Sequence, residues 1–384
     1  YDLVFYQCDD SQLEWTRRCV SRADRILLIG HASQDPVPND FEVGIGDLTT
    51  VRKDLVIVHS DESKAPANTM EWLDPRQVHR HYHIRWNVQG DFMRLARFMT
   101  RKAVGLVISG GGIRAAAGIG AFRALQEAGV EIDAVGGNSG GSMVAVGIGL
   151  NWENKKILEA LATAVRLYRK NKTLPLLSMF TGKHFINFLK DRVGDIRAED
   201  TLVPFYCVTT NLSRGELSVH NSGPLYRLMR TSMSLPGMLP PVIWNGDWHL
   251  DGCVASNNPV EAMSEVIEGG KIISIDLFSV DQLEKEKIND VPEDISGFSL
   301  LLSRFTKRLR GSPVPKSLPS ISELIERCVE INVSAVDSTS VRSVDLHVTP
   351  AFHKNYLFQW EDAEEIEAIG YQATKASLID WDCN

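Results

Sequence analysis

Gly137-Asn138-Ser139-Gly140-Gly141 is the only Gly-x-Ser-x-Gly in this chain. It follows an apolar run at 132–135 and precedes a helix-like stretch at 142–150. A strand that runs directly into a helix forces a sharp turn, and a serine at its apex presents its hydroxyl outward. Glycines beside it avoid collisions with the kinked backbone. The helix that starts after the serine aims its free N–H groups and its positive dipole end at that hydroxyl. Ser139 is therefore a candidate nucleophile for acyl transfer. A plain glycine-rich strand–helix turn is the competing reading.

A second glycine cluster lies upstream. Gly110-Gly111-Gly112-Ile113-Arg114 follows the apolar run 105–108 and opens a predicted helix over 113–128. Three consecutive glycines expose backbone N–H groups that bind a phosphate or a developing oxyanion. A dinucleotide fingerprint would need a glycine where Ala115 stands and an acid at the end of the next strand. That strand ends in Gly136-Gly137-Asn138-Ser139 instead. An oxyanion loop is the better reading, with Gly140 as a further donor and Arg114 as loop support or a phosphate contact.

The third feature is Leu250-Asp251-Gly252-Cys253, after Trp244-Asn245-Gly246-Asp247-Trp248-His249. A tight hairpin there delivers Asp251 at a strand end beside Gly252. A close, desolvated carboxylate can deprotonate a serine, because burial raises its basicity. Alternatively, Asp251 merely begins the turn into a helix predicted over 258–268.

Taken together, these residues resemble the patatin-like phospholipase family. The resemblance implies a Ser–Asp dyad, with Ser139 as nucleophile and Asp251-Gly252 as the catalytic Asp-Gly pair. Gly110, Gly111, Gly112 and Arg114 match the family's oxyanion loop, and Asn138 and Gly140 flank the serine. Asp91-Phe92-Met93-Arg94-Leu95-Ala96-Arg97, Ser232-Met233-Ser234-Leu235-Pro236-Gly237 and Ser178-Met179-Phe180-Thr181-Gly182 look like the neuropathy target esterase branch. The opening 1–23 and Gly370-Tyr371-Gln372 do as well. The chain departs from the family's usual residues at Ala115, Asn138, Gly140 and Cys253. The resemblance implies a mostly parallel central sheet flanked by helices, a modified α/β-hydrolase-type fold with a nucleophile elbow. It further implies a fragment of a longer, membrane-associated protein, on the cytoplasmic side, whose upstream regulatory domains are absent. The implied substrates are phospholipids or lysophospholipids, with no metal and no organic cofactor.

Composition sets bounds on these readings. A chain of 384 residues can bury a large core. Its net charge of -8 argues against nonspecific nucleic-acid binding. Six scattered cysteines (Cys8, Cys19, Cys207, Cys253, Cys328, Cys383) show no metal spacing and favour a reducing compartment. No apolar run approaches the roughly 20 residues of a spanning helix, and no signal-peptide pattern opens the chain. Membrane contact by this chain is therefore expected to be peripheral.

Short β-branched runs separated by helical patterns predict a parallel α/β sheet. Strands are expected at 2–6, 25–29, 54–58, 83–86, 205–210 and 271–276, and helices at 11–20, 155–170, 320–329 and 363–378. The expected division is an N-terminal α/β segment (1–100), a catalytic core (101–280) and a C-terminal helical extension (281–384). The proline-rich stretch 311–319 reads as a linker.

Two stretches suit a lipid surface. Residues 298–310 combine Phe298, Leu300, Leu301, Leu302, Phe305 and Leu309 with Arg304, Lys307, Arg308 and Arg310, and contain no acid. Residues 174–180, from Leu174 to Phe180, lie between Arg169, Lys170, Lys172 and Lys183. Each is equally readable as a core-facing segment with a solvated basic face. Two further alternatives stay open: a catalytically weak lipid-binding or scaffold module, and a Ser–His–Asp triad using His347, which follows Asp251 in α/β-hydrolase order. His347 lies in an alternating strand pattern, where a satisfied histidine is commoner.

Overall fold

A computed structural model describes residues 3–9, 11–48, 51–60, 65–278, 343–353, 356–379 and 381. It contains a three-stranded and an eight-stranded sheet. The first is parallel, in the order β1 (Ile26–His31), β2 (Lys53–His59), β3 (Arg80–Arg85). The second holds β4 (Val104–Ile108), β5 (Ala134–Gly137), β6 (Phe205–Asn211), β7 (Glu216–His220), β8 (Val242–Trp244), β9 (Asp247–Asp251), β10 (Lys271–Ile275) and β11 (Leu346–Val348). Its order is β11-β10-β4-β5-β6-β9-β8, with β7 paired to β6. From β11 to β6 every pairing is parallel, whereas β7 and β9 run antiparallel to β6 and β8 antiparallel to β9.

Alternation along the central strands explains the layering. Strand β5 and strand β6 are buried at every position, as expected for strands covered on both faces. Leu106 and Ile108 of β4, Phe205 and Cys207 of β6, and Ile273 and Ile275 of β10 face one core. There they meet the helices Ala116–Glu127, Gly140–Gly149, Asn154–Tyr168 and Ala363–Leu378. The residues between them (Val107, Tyr206, Val208 and Ile272) face a second core. That core includes Val56, Val58, Tyr82, Ile84 and Phe98, so the three-stranded sheet covers the other face with the helix Val260–Ile267. Arg97 ties the two units: its guanidinium chelates the buried Asp133 just ahead of β5, at 2.7–3.0 Å.

The helix predicted over 363–378 is present with those bounds, and the serine does sit between a strand and a helix. Of the expected strand at 2–6, the described residues 3–6 form no strand. Leu3, Val4, Phe5 and Tyr6 are exposed and irregular, and among the described residues β1 pairs only with β2, so this apolar run gains no ladder there and no core. Residues 298–310, 311–319 and 320–329 lie outside the described residues.

Candidate active site

Strand β6 builds the site through a break in its pairing. Along one edge, β5 covers its first half, with Gly137 opposite Cys207, and β9 covers its second half, with Asp251 opposite Thr209. Strand β5 runs parallel to β6 and β9 antiparallel, so their C-terminal ends converge on the gap. Ser139 leaves β5 there and Asp251 ends β9.

Ser139 has φ 50° and ψ -124°, a left-handed conformation that a residue with a side chain adopts only under constraint. The constraint is visible. The Ser139 N–H donates to Ser232 Oγ at 2.9 Å, and the Ser142 N–H and hydroxyl both donate to the Ser139 carbonyl, at 3.0 and 2.6 Å. Ser139 is also the N-cap of the helix Gly140–Gly149. The turn therefore holds the hydroxyl at the positive end of a helix buried along its whole length.

Asp251 is buried. Its Oδ1 accepts from the Cys253 N–H at 3.0 Å, while Oδ2 has no partner of good hydrogen-bond geometry. Burial pushes the carboxyl up to about 6, against the opposing pull of the Cys253 amide, the Ser139 hydroxyl and the Asn138 side chain. These groups and the Cys253 thiol favour the charged form, and loss of water outweighs them.

Asn138 and Asn257 lock the surrounding backbone. Asn138 is fully buried; its amide donates to Asn257 Oδ1 at 3.0 Å, and its own oxygen accepts from Ser232 at 3.3 Å. Asn257 donates from Nδ2 to the Gly110 carbonyl at 3.1 Å and accepts the Gly110 N–H at its backbone carbonyl at 3.2 Å. A Cβ on Gly110 would lie 2.3 Å from Asn257 Oδ1 and 3.2 Å from Ser139 Cβ. One on Gly252 would lie 2.5 Å from Asn138 Oδ1. Both glycines are required by close approach.

The Gly110 N–H, expected as an oxyanion donor, is therefore already committed to Asn257. Among the described residues, the N–H groups of Gly111, Gly112 and Gly140 donate to no protein acceptor. Gly112 and Gly140 touch closely enough that a Cβ on Gly140 would sit 2.2 Å from the Gly112 carbonyl oxygen. Arg114 is not a surface arginine. It is buried, with its guanidinium carbon 5.3 Å from the Phe278 ring and 5.5 Å from the Phe352 ring.

Gly110, Gly111, Gly112, Ser139, Cys253 and Asn257 line one pocket with Val165, Tyr168, Met233, Leu235, Phe278, Leu357 and Phe358. Its cavity volume is about 50 Å³, and it opens to solvent at its mouth. The lining is mostly apolar side chains beside the glycine loop and Ser139, which suits the hydrocarbon part of an ester. The histidines stand elsewhere. His347 Nε2 is 3.9 Å from Asp276, and β10 and β4 separate its strand from β5. Three strand spacings amount to about 14 Å. His249 Nδ1 shares the Thr209 hydroxyl with His220 Nε2, at 2.8 and 2.6 Å. Neither arrangement supports a triad. Asn257 carried no local signal in the sequence, and Ser232 stood only within a longer motif.

A strained serine where a parallel α/β sheet meets a helix, served by the end of an antiparallel hairpin, is the layout of patatin-type domains. Comparison with known families agrees: the family model for patatin-like phospholipases matches residues 106–264, from β4 into the helix Val260–Ile267. The model for the neuropathy target esterase family P-loop-like domain matches residues 1–89. The chain belongs to the patatin-like phospholipase family. It is 30% identical over 410 residues to neuropathy target esterase sws of Drosophila melanogaster, covering 96% of this chain and 28% of that protein. It is 31% identical over 426 residues to patatin-like phospholipase domain-containing protein ZK370.4 of Caenorhabditis elegans, covering 96% of this chain and 31% of the relative. The chain thus spans less than a third of the length of these curated relatives. Among solved structures, VipD from Legionella pneumophila aligns with 72% of this chain and 67% of its own, at 13% identity and a TM-score of 0.38.

Proposed function

We propose that this chain is a serine acyl hydrolase that cleaves carboxylic ester bonds of phospholipids or lysophospholipids with a Ser139–Asp251 dyad. The observation that carries the proposal is the pairing of a backbone-strained serine with a buried carboxyl of raised proton affinity at one gap in the sheet. Asp251 takes the Ser139 proton as Oγ attacks the ester carbonyl carbon. The carbonyl oxygen becomes an oxyanion, held by the N–H groups of Gly111, Gly112 and Gly140. As the tetrahedral adduct collapses, the leaving alkoxide takes the proton from Asp251 and departs as an alcohol. Water then attacks the acyl-enzyme and gives its proton to Asp251, and collapse returns a proton to Ser139 Oγ and releases the fatty acid. Arg114, whose backbone N–H donates to the Gly111 carbonyl at 3.0 Å and whose guanidinium packs on Phe278 and Phe352, steadies the glycine loop. Names of the relatives, with esterase and phospholipase in them, favour this chemistry.

In this proposal the chain meets the membrane surface peripherally, on the cytoplasmic side. No helix of the described residues is long and apolar enough to cross a membrane, and the described cysteines Cys8, Cys19, Cys207 and Cys253 are free thiols. A fluorophosphonate probe tests the nucleophile: it is expected to label wild type at Ser139 and to leave Ser139→Ala unlabelled. An unreactive Ser139 in folded protein that still binds lipid contradicts the hydrolase reading and favours a lipid-binding module.

A further inference from the structure

Residues 171–181 form a short paired finger between the helices Asn154–Tyr168 and Lys183–Val193. Lys172 bridges to Phe180 across it. The Thr173 N–H donates to the Met179 carbonyl at 3.0 Å, and the Thr181 N–H to that of Asn171 at 3.1 Å. Its base is fastened to the segment that follows the pocket residues Met233 and Leu235. The Met179 and Phe180 N–H groups donate to Gly237 and Met238, at 2.8 and 3.0 Å. Tyr168, immediately before the finger, lines the pocket and donates its hydroxyl to the Met233 carbonyl at 2.7 Å. Arg169 stacks 4.9 Å from Phe358, another wall residue.

Burial divides the stretch 174–180 in two. Ser178 and Phe180 at the base are buried, whereas Leu174, Leu176 and Leu177 at the tip are 72%, 87% and 64% exposed. Three neighbouring leucines held in water by a braced hairpin need a partner. Charge identifies its kind. Residues 160–190 contain no acid and six cations (Arg166, Arg169, Lys170, Lys172, Lys183 and Lys190) in a chain of net charge -8. All six are exposed. An exposed apolar tip on a stretch with exposed cations and no acid matches an anionic bilayer, where leucines enter the acyl region and lysines meet phosphates.

We propose that the Leu174–Leu176–Leu177 tip docks the protein on an anionic phospholipid bilayer, with the mouth of the Ser139 pocket turned to the lipid. This deepens the hydrolase reading and rests on it for the meaning of the pocket, although the docking is measurable without turnover. The test uses vesicles of phosphatidylcholine with and without phosphatidylserine, and Ser139→Ala protein so that no lipid is consumed. Sedimentation with the phosphatidylserine vesicles is expected. Adding Leu176→Asp and Leu177→Asp should reduce it at least about tenfold, and Lys170→Glu with Lys172→Glu should weaken it in a salt-dependent way. With Ser139 intact, the leucine variants should hydrolyse a monomeric, water-soluble ester as wild type does. Unchanged vesicle binding overturns the proposal. So does equal loss of soluble-ester turnover, which would make the finger a structural brace. A dimer in lipid-free buffer that the leucine variants dissolve also overturns it, because the tip would then cover a second copy. Absent ester turnover in wild type with finger-dependent vesicle binding would sink the hydrolase reading and leave the docking standing.

Discussion

Asp251 faces Thr209 on the same edge of β6 where Gly137, two residues before Ser139, faces Cys207. Two strands of opposite direction thus share one edge and end within two residues of each other along β6. A parallel strand carries the serine and an antiparallel one the carboxylate, which is the arrangement that the proposed dyad uses. The site's chemistry then depends on how dry that junction is, and several measurements read this directly.

The first concerns pH. Asp251 acts as a base only when ionised, and burial places its carboxyl at about 6. The kcat/KM for a neutral short-chain ester should rise tenfold per pH unit below about 6 and level off above it. A profile flat down to pH 4.5 would mean that some other group accepts the proton.

Stability should move opposite to activity in Asp251→Asn. The folded carboxyl binds its proton more tightly than the ordinary value of 3.8, so its ionised form destabilises the fold. That cost is fully present above pH 6 and disappears as pH falls toward 3.8. Two pKa units correspond to roughly 3 kcal/mol at neutral pH. Thermal denaturation at pH 7.5 should therefore show a higher Tm for Asp251→Asn than for wild type, with the difference shrinking by pH 5. A lower Tm at pH 7.5 would contradict the burial argument.

Crowding at the glycine loop predicts a third result. A methyl on Gly110 meets Asn257 Oδ1 at 2.3 Å and one on Gly140 meets the Gly112 carbonyl oxygen at 2.2 Å. Either substitution must displace the amides proposed to hold the oxyanion. Gly110→Ala and Gly140→Ala should each lower kcat by about 10²–10³, with KM little changed and the circular dichroism of wild type. Near-normal kcat in both would remove the loop from the mechanism.

A fourth test probes the strained turn. Ser232 Oγ accepts the Ser139 N–H, so Ser232→Ala leaves a left-handed backbone with an orphaned donor. A loss of about 1–2 kcal/mol in stability is expected, together with a kcat reduced by about tenfold as Ser139 relaxes. Ser232→Thr keeps the acceptor and should restore part of kcat. Equal activity in Ser232→Ala and wild type would mean that the turn is held by other contacts.

Much of this site was legible locally. Ser139 and the Gly110–Gly112 loop announce themselves because a strand–turn–helix with glycines at fixed offsets needs no distant partner to be recognised. Asp251 was legible only with its hairpin and its following glycine. What the sequence hid is what long-range packing decides. Asn257 reaches back 147 positions to Gly110 and removes its N–H from the oxyanion set. Arg114 looks like an ordinary first-turn arginine until Phe278 and Phe352 close over it. Leu3 to Tyr6 have strand composition, yet no neighbouring strand accepts them. Leu174 to Phe180 read as one apolar stretch, and only the pairing of Lys172 with Phe180 separates an exposed tip from a buried base.

The most direct test is turnover of a lysophospholipid by purified wild type, Ser139→Ala and Asp251→Asn, each shown to be folded by circular dichroism. Wild type should release fatty acid, and both variants should fall to the uncatalysed background. Hydrolysis by either variant at more than a few per cent of the wild-type rate would contradict the role assigned to that residue.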